Sequence, residues 1–120
     1  MALSPRGSKQ KGSRFELELA AYLNSNIEGL KARRALLSGG GRNEGGADLD
    51  GTPHVHVEAK RTEKMSPKAA IRQAEDAISK AEERRMPVVI NRGNHEATED
   101  SLVVMRLKDW LRMYRALLAR

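Results

Sequence analysis

Polar and apolar residues alternate strictly from His54 to Lys60. This period of two is that of a β-strand, in which successive side chains point to opposite faces of the sheet. One face would carry His54, His56, Glu58 and Lys60, and the other would carry Val55, Val57 and Ala59. Residues 47–50 precede this stretch across Gly51-Thr52-Pro53, so the two segments are predicted to form a hairpin over residues 47–50 and 54–61. The chain must therefore fold around a strand with one apolar face and one charged face.

Helices are predicted before and after this hairpin. Ser13-Arg14-Phe15-Glu16 has the Ser-x-x-Glu form of a capping box and opens a helix that runs to about Asn26. Ser66-Pro67 begins a long helix to about Arg85, because serine caps helices and proline suits the first helical position. A last amphipathic helix begins near Lys108, and its apolar side carries Leu107, Trp110, Leu111, Tyr114, Leu117 and Leu118.

Three further strands complete the order of elements. They are predicted at residues 31–37, 87–91 and 102–107, and the apolar run Val88-Val89-Ile90 is typical of a strand buried on both faces. The resulting order, α-β-β-β-α-β-β-α, predicts an α/β fold in which a mixed sheet is flanked by helices. Residues 1–12 are predicted to be a flexible basic arm, and residues 13–120 a single domain.

Composition excludes several classes of protein. A chain of 120 residues without cysteine has no disulfide framework, no thiolate metal site and no cysteine nucleophile. No apolar run approaches the ~20 residues that cross a bilayer. The first residues are basic and polar, unlike a secretory signal, so a cytoplasmic location is expected.

Charge points to a polyanionic partner. The chain carries 22 Lys and Arg against 16 Asp and Glu, a net charge of +6. Basic residues collect in the segments 1–14, 31–42 and 106–120, while acidic residues lie between them. A basic periphery around an acidic centre suits an enzyme that binds a phosphate backbone and holds a divalent cation. The alternative is a set of solvated charged faces without a partner.

Three acidic residues are candidates for that acidic centre. Glu16 falls within the apolar stripe of the first helix, where a carboxylate is costly unless it is coordinated or only caps the helix. If the hairpin loop is the three residues 52–54, Asp48 lies opposite Glu58 and Asp50 lies opposite His56. Like charges in a cross-strand pair destabilise a sheet, whereas Mg²⁺ between them would stabilise it.

Two polar residues would complete such a site. Lys60 follows Glu58 on the same strand face, where an ammonium group can orient a water or offset charge on a phosphate. Gln73 lies at the border of the second helix's apolar stripe, where it either binds a water or is simply solvated. His54 and His56 are interpreted as ordinary strand residues, because no third ligand at a clear spacing accompanies them.

With these residues assembled, the chain resembles the PD-(D/E)XK nuclease superfamily, and within it the archaeal-type Holliday junction resolvases, including phage-encoded relatives. The matching stretches are Lys11-Gly12-Ser13-Arg14-Phe15-Glu16-Leu17-Glu18-Leu19, Ser38-Gly39-Gly40, Gly46-Ala47-Asp48-Leu49, Glu58-Ala59-Lys60, and Gln73 on the following helix. The resemblance implies a restriction-endonuclease-like core, αβββαβ, with an added strand and a C-terminal helix.

The resemblance also implies roles for individual residues. Mg²⁺, for which Mn²⁺ could substitute, would be held by Glu16, Asp48, Glu58 and the Ala59 carbonyl. Lys60 would assist the attacking water, Gln73 would steady that water, and Ser38 would lie close to the scissile phosphate. The residues expected to contact DNA are basic: Lys9, Lys11, Arg14, Arg34, Arg42 and Arg61.

The function expected from this resemblance is the paired, symmetric nicking of four-way DNA junctions. Because a chain of this length has room for one active site, two cuts require a homodimer with two-fold symmetry. Two alternatives remain at this point. The same catalytic core could act in repair or restriction on other DNA structures, or the chain could be a basic DNA-binding module without catalytic activity.

Overall fold

The computed structural model describes residues 5–35, 37–38, 41–42, 47–81 and 84–120, and it describes no side chains for residues 5–11, 37–38 and 41–42. Helices span Pro5–Asn26 (α1), Pro67–Ala81 (α2) and Leu107–Leu118 (α3), with a short 3₁₀ turn at Thr98–Asp100. The strands are Arg33–Arg34 (β1), Leu37–Ser38 (β2), Gly41–Arg42 (β3), Leu49–Asp50 (β4), Val55–Arg61 (β5), Met86–Arg92 (β6) and Leu102–Val104 (β7). The predicted α/β class, with a mixed sheet and flanking helices, is confirmed.

The central sheet has the strand order β5-β6-β7. β5 runs parallel to β6, with Glu58 beside Val89 and Lys60 beside Asn91, and β6 runs antiparallel to β7. Two smaller antiparallel pairs, β1 with β4 and β2 with β3, precede it along the chain. The Asn91 side-chain amide donates to the Lys60 and Thr62 carbonyls, which ties the end of β5 to β6.

Apolar side chains bury both faces of this sheet. On one face, α1 contributes Phe15, Leu19 and Ala20 to a cluster that also contains Ala32, Leu49, Val57, Val88 and Ile90. On the other face, Ala70 and Ile71 of α2 pack against Val89. Val89 points to the α2 side of β6, whereas Val88 and Ile90 point to the α1 side. The strand is therefore buried on both sides, as its continuous apolar run predicts. The charged face of β5 lies on the α2 side.

Helix α1 begins at Pro5, eight residues before the predicted start at Ser13. The predicted capping box is therefore wrong, because Ser13 and Glu16 lie within the helix. Both side chains instead bind the Arg34 guanidinium of β1. Residues 5–12 of the predicted flexible basic arm belong to α1, whereas the flexibility of the arm and its contact with DNA stay predictions.

The hairpin that precedes β5 has a different register from the predicted one. The Asp48 amide donates to the Val57 carbonyl at 2.9 Å, and β4 pairs with β1, so that Asp50 lies beside Arg33. Among the described residues, β4 and β5 share no regular ladder that would set Asp48 opposite Glu58 or Asp50 opposite His56. Asp48 lies at a bend just before β4, where both its backbone amide and its side chain form hydrogen bonds with β5.

The turn between β4 and β5 depends on Gly51. Its φ of 78° lies in the left-handed region, and a Cβ at this position would lie 2.2 Å from the Lys31 carbonyl oxygen. Only glycine fits both constraints. The Thr52 hydroxyl donates to the Val55 carbonyl at 2.9 Å and closes the turn. The turn thus sets where β5 begins relative to β4.

The start of α3 is tied to α2 by one ion pair. The Arg106 guanidinium donates two hydrogen bonds of 3.1 Å to the two carboxylate oxygens of Glu75. These hydrogen bonds lower the pKa of the Glu75 carboxyl below its ordinary value of 4.5, and the same pair raises the pKa of Arg106. None of the described helices is both long and apolar enough to traverse a bilayer.

Replacement of this glutamate by glutamine is expected to lower Tm slightly at neutral pH, because Glu75→Gln removes the charge that Arg106 binds. The folded-state pKa of Glu75 is depressed, so its stabilisation is fully present above about pH 4.5 and is lost as the pH falls through the folded-state pKa. Thermal melts from neutral pH to about pH 3 should show the Tm difference shrinking with acidity. In Glu99→Gln, an exposed control, no such trend is expected, and a difference that stays constant with pH would contradict the assignment.

Candidate active site

One pocket of about 300 Å³ brings together side chains from four parts of the chain. Glu16 comes from α1, Asp48 from the bend before β4, Glu58 and Lys60 from β5, and Gln73 from α2. Ala59 and Ala77 complete its lining. Every residue that the sequence proposed for metal binding lines this pocket. Of the proposed catalytic residues, Ser38 lies in β2, and its side chain is outside the described part of the structure.

The Asp48 side chain lines this pocket and lies against β5. Its Oδ2 accepts a hydrogen bond of 2.8 Å from the Ala59 amide of β5. A strand carbonyl would ordinarily accept from such an amide, so a carboxylate takes the place of a neighbouring strand there. The Asp48 amide in turn donates to the Val57 carbonyl, and the Asp48 carbonyl accepts from the Ala35 amide. These contacts fix the position of a buried carboxylate against β5.

Glu16 is held by a cation from a neighbouring strand. Its Oε2 accepts a 2.8 Å hydrogen bond from Arg34 Nε, and Arg34 Nη2 donates to the Ser13 hydroxyl at 3.0 Å. The Glu16 side chain is only 10% exposed, whereas that of Arg34 is 36% exposed. The pairing offsets the cost of a carboxylate turned toward the core. Arg34, expected to contact DNA, is thus placed inside the site.

Glu58 is held by His56, which lies two residues earlier on the same strand face. His56 Nε2 lies 3.0 Å from Glu58 Oε1, where it donates to the carboxylate, since a carboxylate only accepts. His56 is fully buried and Glu58 is 5% exposed. The alternation of residues along the strand places the two side chains together, but sequence reasoning assigned His56 no role in the site. The i, i+2 spacing was the signal that could have found it.

Lys60 and Gln73 form the open side of the pocket. Lys60 Nζ donates to Gln73 Oε1 at 3.2 Å. The ammonium group of a β5 residue is therefore held by α2, which packs on that face of the sheet. Neither side chain is buried. Their position gives the acidic pocket a positively charged rim that solvent can reach.

The carboxylates share a pocket but do not form a ready-made cation cage. Within the ranges that the structure describes, no three Asp, Glu or His side chains are close enough to hold a metal ion. Glu16, Asp48 and Glu58 are each engaged with another partner: a guanidinium, a backbone amide and an imidazole. The donors, three carboxylates and a strand carbonyl, are nevertheless the hard oxygen ligands that Mg²⁺ prefers. A cation would require these side chains to move closer together than they now lie.

The residues expected to contact DNA have different surroundings. Arg14 is exposed on α1. Arg61 at the end of β5 is partly buried, and its Nε has no hydrogen-bond partner in the described structure. Side chains of the remaining three, Lys9, Lys11 and Arg42, lie outside the described part. Their assignment to DNA stays a prediction.

Loss of the Asp48 carboxylate should destabilise the fold as well as the pocket. Asp48→Ala leaves the Ala59 amide without its acceptor and is expected to cost about 1–2 kcal/mol in the free energy of unfolding. Asp48→Asn retains a side-chain oxygen that can accept the same bond, so its cost should be smaller. Urea unfolding of both variants, with the exposed Asp76→Ala as control, measures the difference. Equal losses in Asp48→Ala and Asp76→Ala would show that the bond contributes nothing.

Comparisons with known proteins add no family to this geometry. A scan against protein-family models, a search of curated proteins and a search of solved structures each found no match for this chain.

Proposed function

We propose that this protein is a Mg²⁺-dependent endodeoxyribonuclease that resolves four-way DNA junctions. The observation that carries the proposal is the convergence of Glu16, Asp48 and Glu58 with Lys60 on one pocket. These residues are separated by up to 44 positions in the sequence, and the side chains come from three separate segments. Three carboxylates beside an ammonium group are the donor set of a cation-dependent phosphodiesterase. The element order and the motif stretches support a restriction-endonuclease-like core.

Mg²⁺ would be held by Glu16, Asp48, Glu58 and the Ala59 carbonyl. When bound, the cation supplies Lewis acidity that activates a water and offsets the charge of the phosphate. Glu16 would have to exchange Arg34 for the cation, because its Oε2 now accepts from that guanidinium. Arg34 is partly exposed, so it can turn toward solvent or toward a DNA phosphate.

The protein's own side chains would position the reacting groups. Lys60 would hold the attacking water and neutralise negative charge that develops on the phosphate. Gln73 would fix the Lys60 ammonium through the 3.2 Å hydrogen bond and steady the same water. His56 would keep the Glu58 carboxylate in one orientation. Ser38 would lie near the scissile phosphate.

The reaction would be an in-line displacement at phosphorus. Water oxygen would form a bond to phosphorus and lose a proton to solvent, while the bond from phosphorus to the 3′ oxygen breaks and that oxygen takes up a proton from solvent. The products would be a 5′-phosphate and a 3′-hydroxyl. Two such nicks placed symmetrically across a junction require two active sites, which a homodimer provides. The net charge of +6 supports binding to a phosphate backbone.

A cleavage assay on a synthetic four-way junction tests the proposal. The parent protein should nick the junction in pairs with Mg²⁺ and should be inactive in EDTA. Asp48→Asn and Lys60→Met should each lower the single-turnover rate by at least about 100-fold, because one removes a charged donor and the other the ammonium group. Lys64→Met, the same substitution on an exposed lysine beyond β5, should leave the rate unchanged.

The other outcomes identify the alternatives. Equal or faster cleavage of flap, nicked or linear duplex DNA would assign the same catalytic core to repair or restriction. Binding without Mg²⁺-dependent cleavage would identify a basic DNA-binding module. Cleavage that survives Asp48→Asn would show that this pocket is not where cleavage occurs, and either result would reject the catalytic proposal.

The basic residues at the start of the chain should make binding dependent on salt. Lys9→Gln with Lys11→Gln is expected to reduce the slope of log K against log salt by about 2, because each phosphate contact releases about one counterion. Filter binding of the junction in EDTA at several salt concentrations measures the slope. Lys68→Gln with Lys80→Gln removes the same charge from α2 and should leave the slope unchanged. The same reduction in both double variants would show a general charge effect and no specific contact.

A further inference from the structure

Helix α3 turns its apolar side away from the rest of the chain. We call this side the α3 stripe: Leu107, Trp110, Leu111, Tyr114, Leu117 and Leu118. These residues are between 38% and 69% exposed. Asp109, on the opposite side of α3, is the one buried residue of this helix, and Arg112, Met113 and Ala116 line a cavity with residues of the turn before β5 and the start of β6. An amphipathic helix normally places its apolar side against a core, so the orientation of α3 leaves that side without a partner in the described structure.

The spacing of the stripe is that of a helix–helix seam. Leu107 and Tyr114, Trp110 and Leu117, and Leu111 and Leu118 are each seven residues apart. They occupy positions a, d and e of a heptad, the pattern that packs against another helix. The Trp110 and Tyr114 rings are stacked with centroids 5.0 Å apart, which gives the seam a preorganised aromatic anchor.

The exposed area suits a small dimer interface. With about 200 Å² for a fully exposed large side chain, the stripe presents on the order of 600 Å² per chain. Two copies would bury about 1,200 Å² in total, which is the lower end of the range for specific protein interfaces. An interface of this size associates measurably but dissociates on dilution.

The charges of the chain also favour contact through this side. Two copies that each carry +6 repel each other over most of their surfaces. The α3 stripe contains no charged residue, whereas Lys108, Arg112 and Arg115 lie beside it. A neutral apolar seam is self-complementary under a two-fold axis, because each copy offers the same surface.

We propose that the α3 stripe is the surface on which a second copy of this chain docks, with the two α3 helices packed across a two-fold axis. This inference names the partner that the proposed function requires. It rests on that function, because paired nicking needs two active sites. Its test measures association rather than cleavage, so the dimer and the nuclease proposals can fail separately.

Sedimentation equilibrium of the full chain over a range of concentrations tests the interface. The parent should be a dimer that dissociates on dilution, and the emission of Trp110, the sole tryptophan, should shift to longer wavelength as it does so. Leu117→Glu should raise the dimer dissociation constant at least tenfold, because it places two carboxylates at the seam. Ala119→Glu, which adds the same charge two residues further and off the stripe, should leave the constant unchanged.

Several results would overturn the inference. A parent chain that is monomeric at every concentration rejects it, as does a dimer that Leu117→Glu and Ala119→Glu weaken equally. Circular dichroism checks that the variants fold, and Leu118→Ser, which adds no charge, replaces Leu117→Glu if that variant does not. A monomer whose Trp110 emission shifts to shorter wavelength only with phosphatidylserine vesicles would assign the stripe to a lipid surface and reject the dimer.

Discussion

The burial of acidic side chains beside β5 is the constraint on which the rest of the molecule depends. Glu16, Asp48 and Glu58 are each at most 8% exposed. The free-energy cost of burying an isolated charge is prohibitive. Each carboxylate is therefore tied to a donor on another element or residue: the Arg34 guanidinium, the Ala59 amide and the His56 imidazole. These contacts join α1 to β1 and the bend before β4 to β5. The pocket and the local fold are thus maintained by the same hydrogen bonds.

Local periodicity accounts for the parts of the structure that the sequence predicts well. The alternation along β5 and the apolar run of Val88 to Ile90 depend only on which face each side chain occupies, and both strands form as expected. The shared pocket of Glu16, Asp48, Glu58 and Lys60 was also expected, but from the resemblance and from a hairpin register that the structure does not have. The metal and the reaction remain proposals.

Contacts between distant residues are what the sequence could not predict. A capping box describes only a helix end, so it could not reveal that Ser13 and Glu16 both bind Arg34, about twenty residues away. The hairpin register was wrong because it set Asp48 opposite Glu58, whereas the Asp48 amide bonds to the Val57 carbonyl and its side chain takes the Ala59 amide. The spacing of the histidines predicts no transition-metal site and so indicates no role for His56. Its observed partner is instead a carboxylate on its own strand.

The three partners differ in how readily they can leave, and this difference bears on how the pocket would accept a cation. His56 is fully buried and the Ala59 amide is part of β5, so Glu58 and Asp48 are held in fixed positions. The Arg34 side chain is already 36% exposed, so its guanidinium can turn into solvent if it releases Glu16. Binding would then reorganise only the side of the pocket formed by α1 and β1. Two of the three carboxylates would then already be in fixed positions, and only the third would have to move. This limits the free-energy cost of assembling the site. In this arrangement the guanidinium offsets the charge of Glu16 in the absence of a cation, and the proposed Mg²⁺ would take over that role.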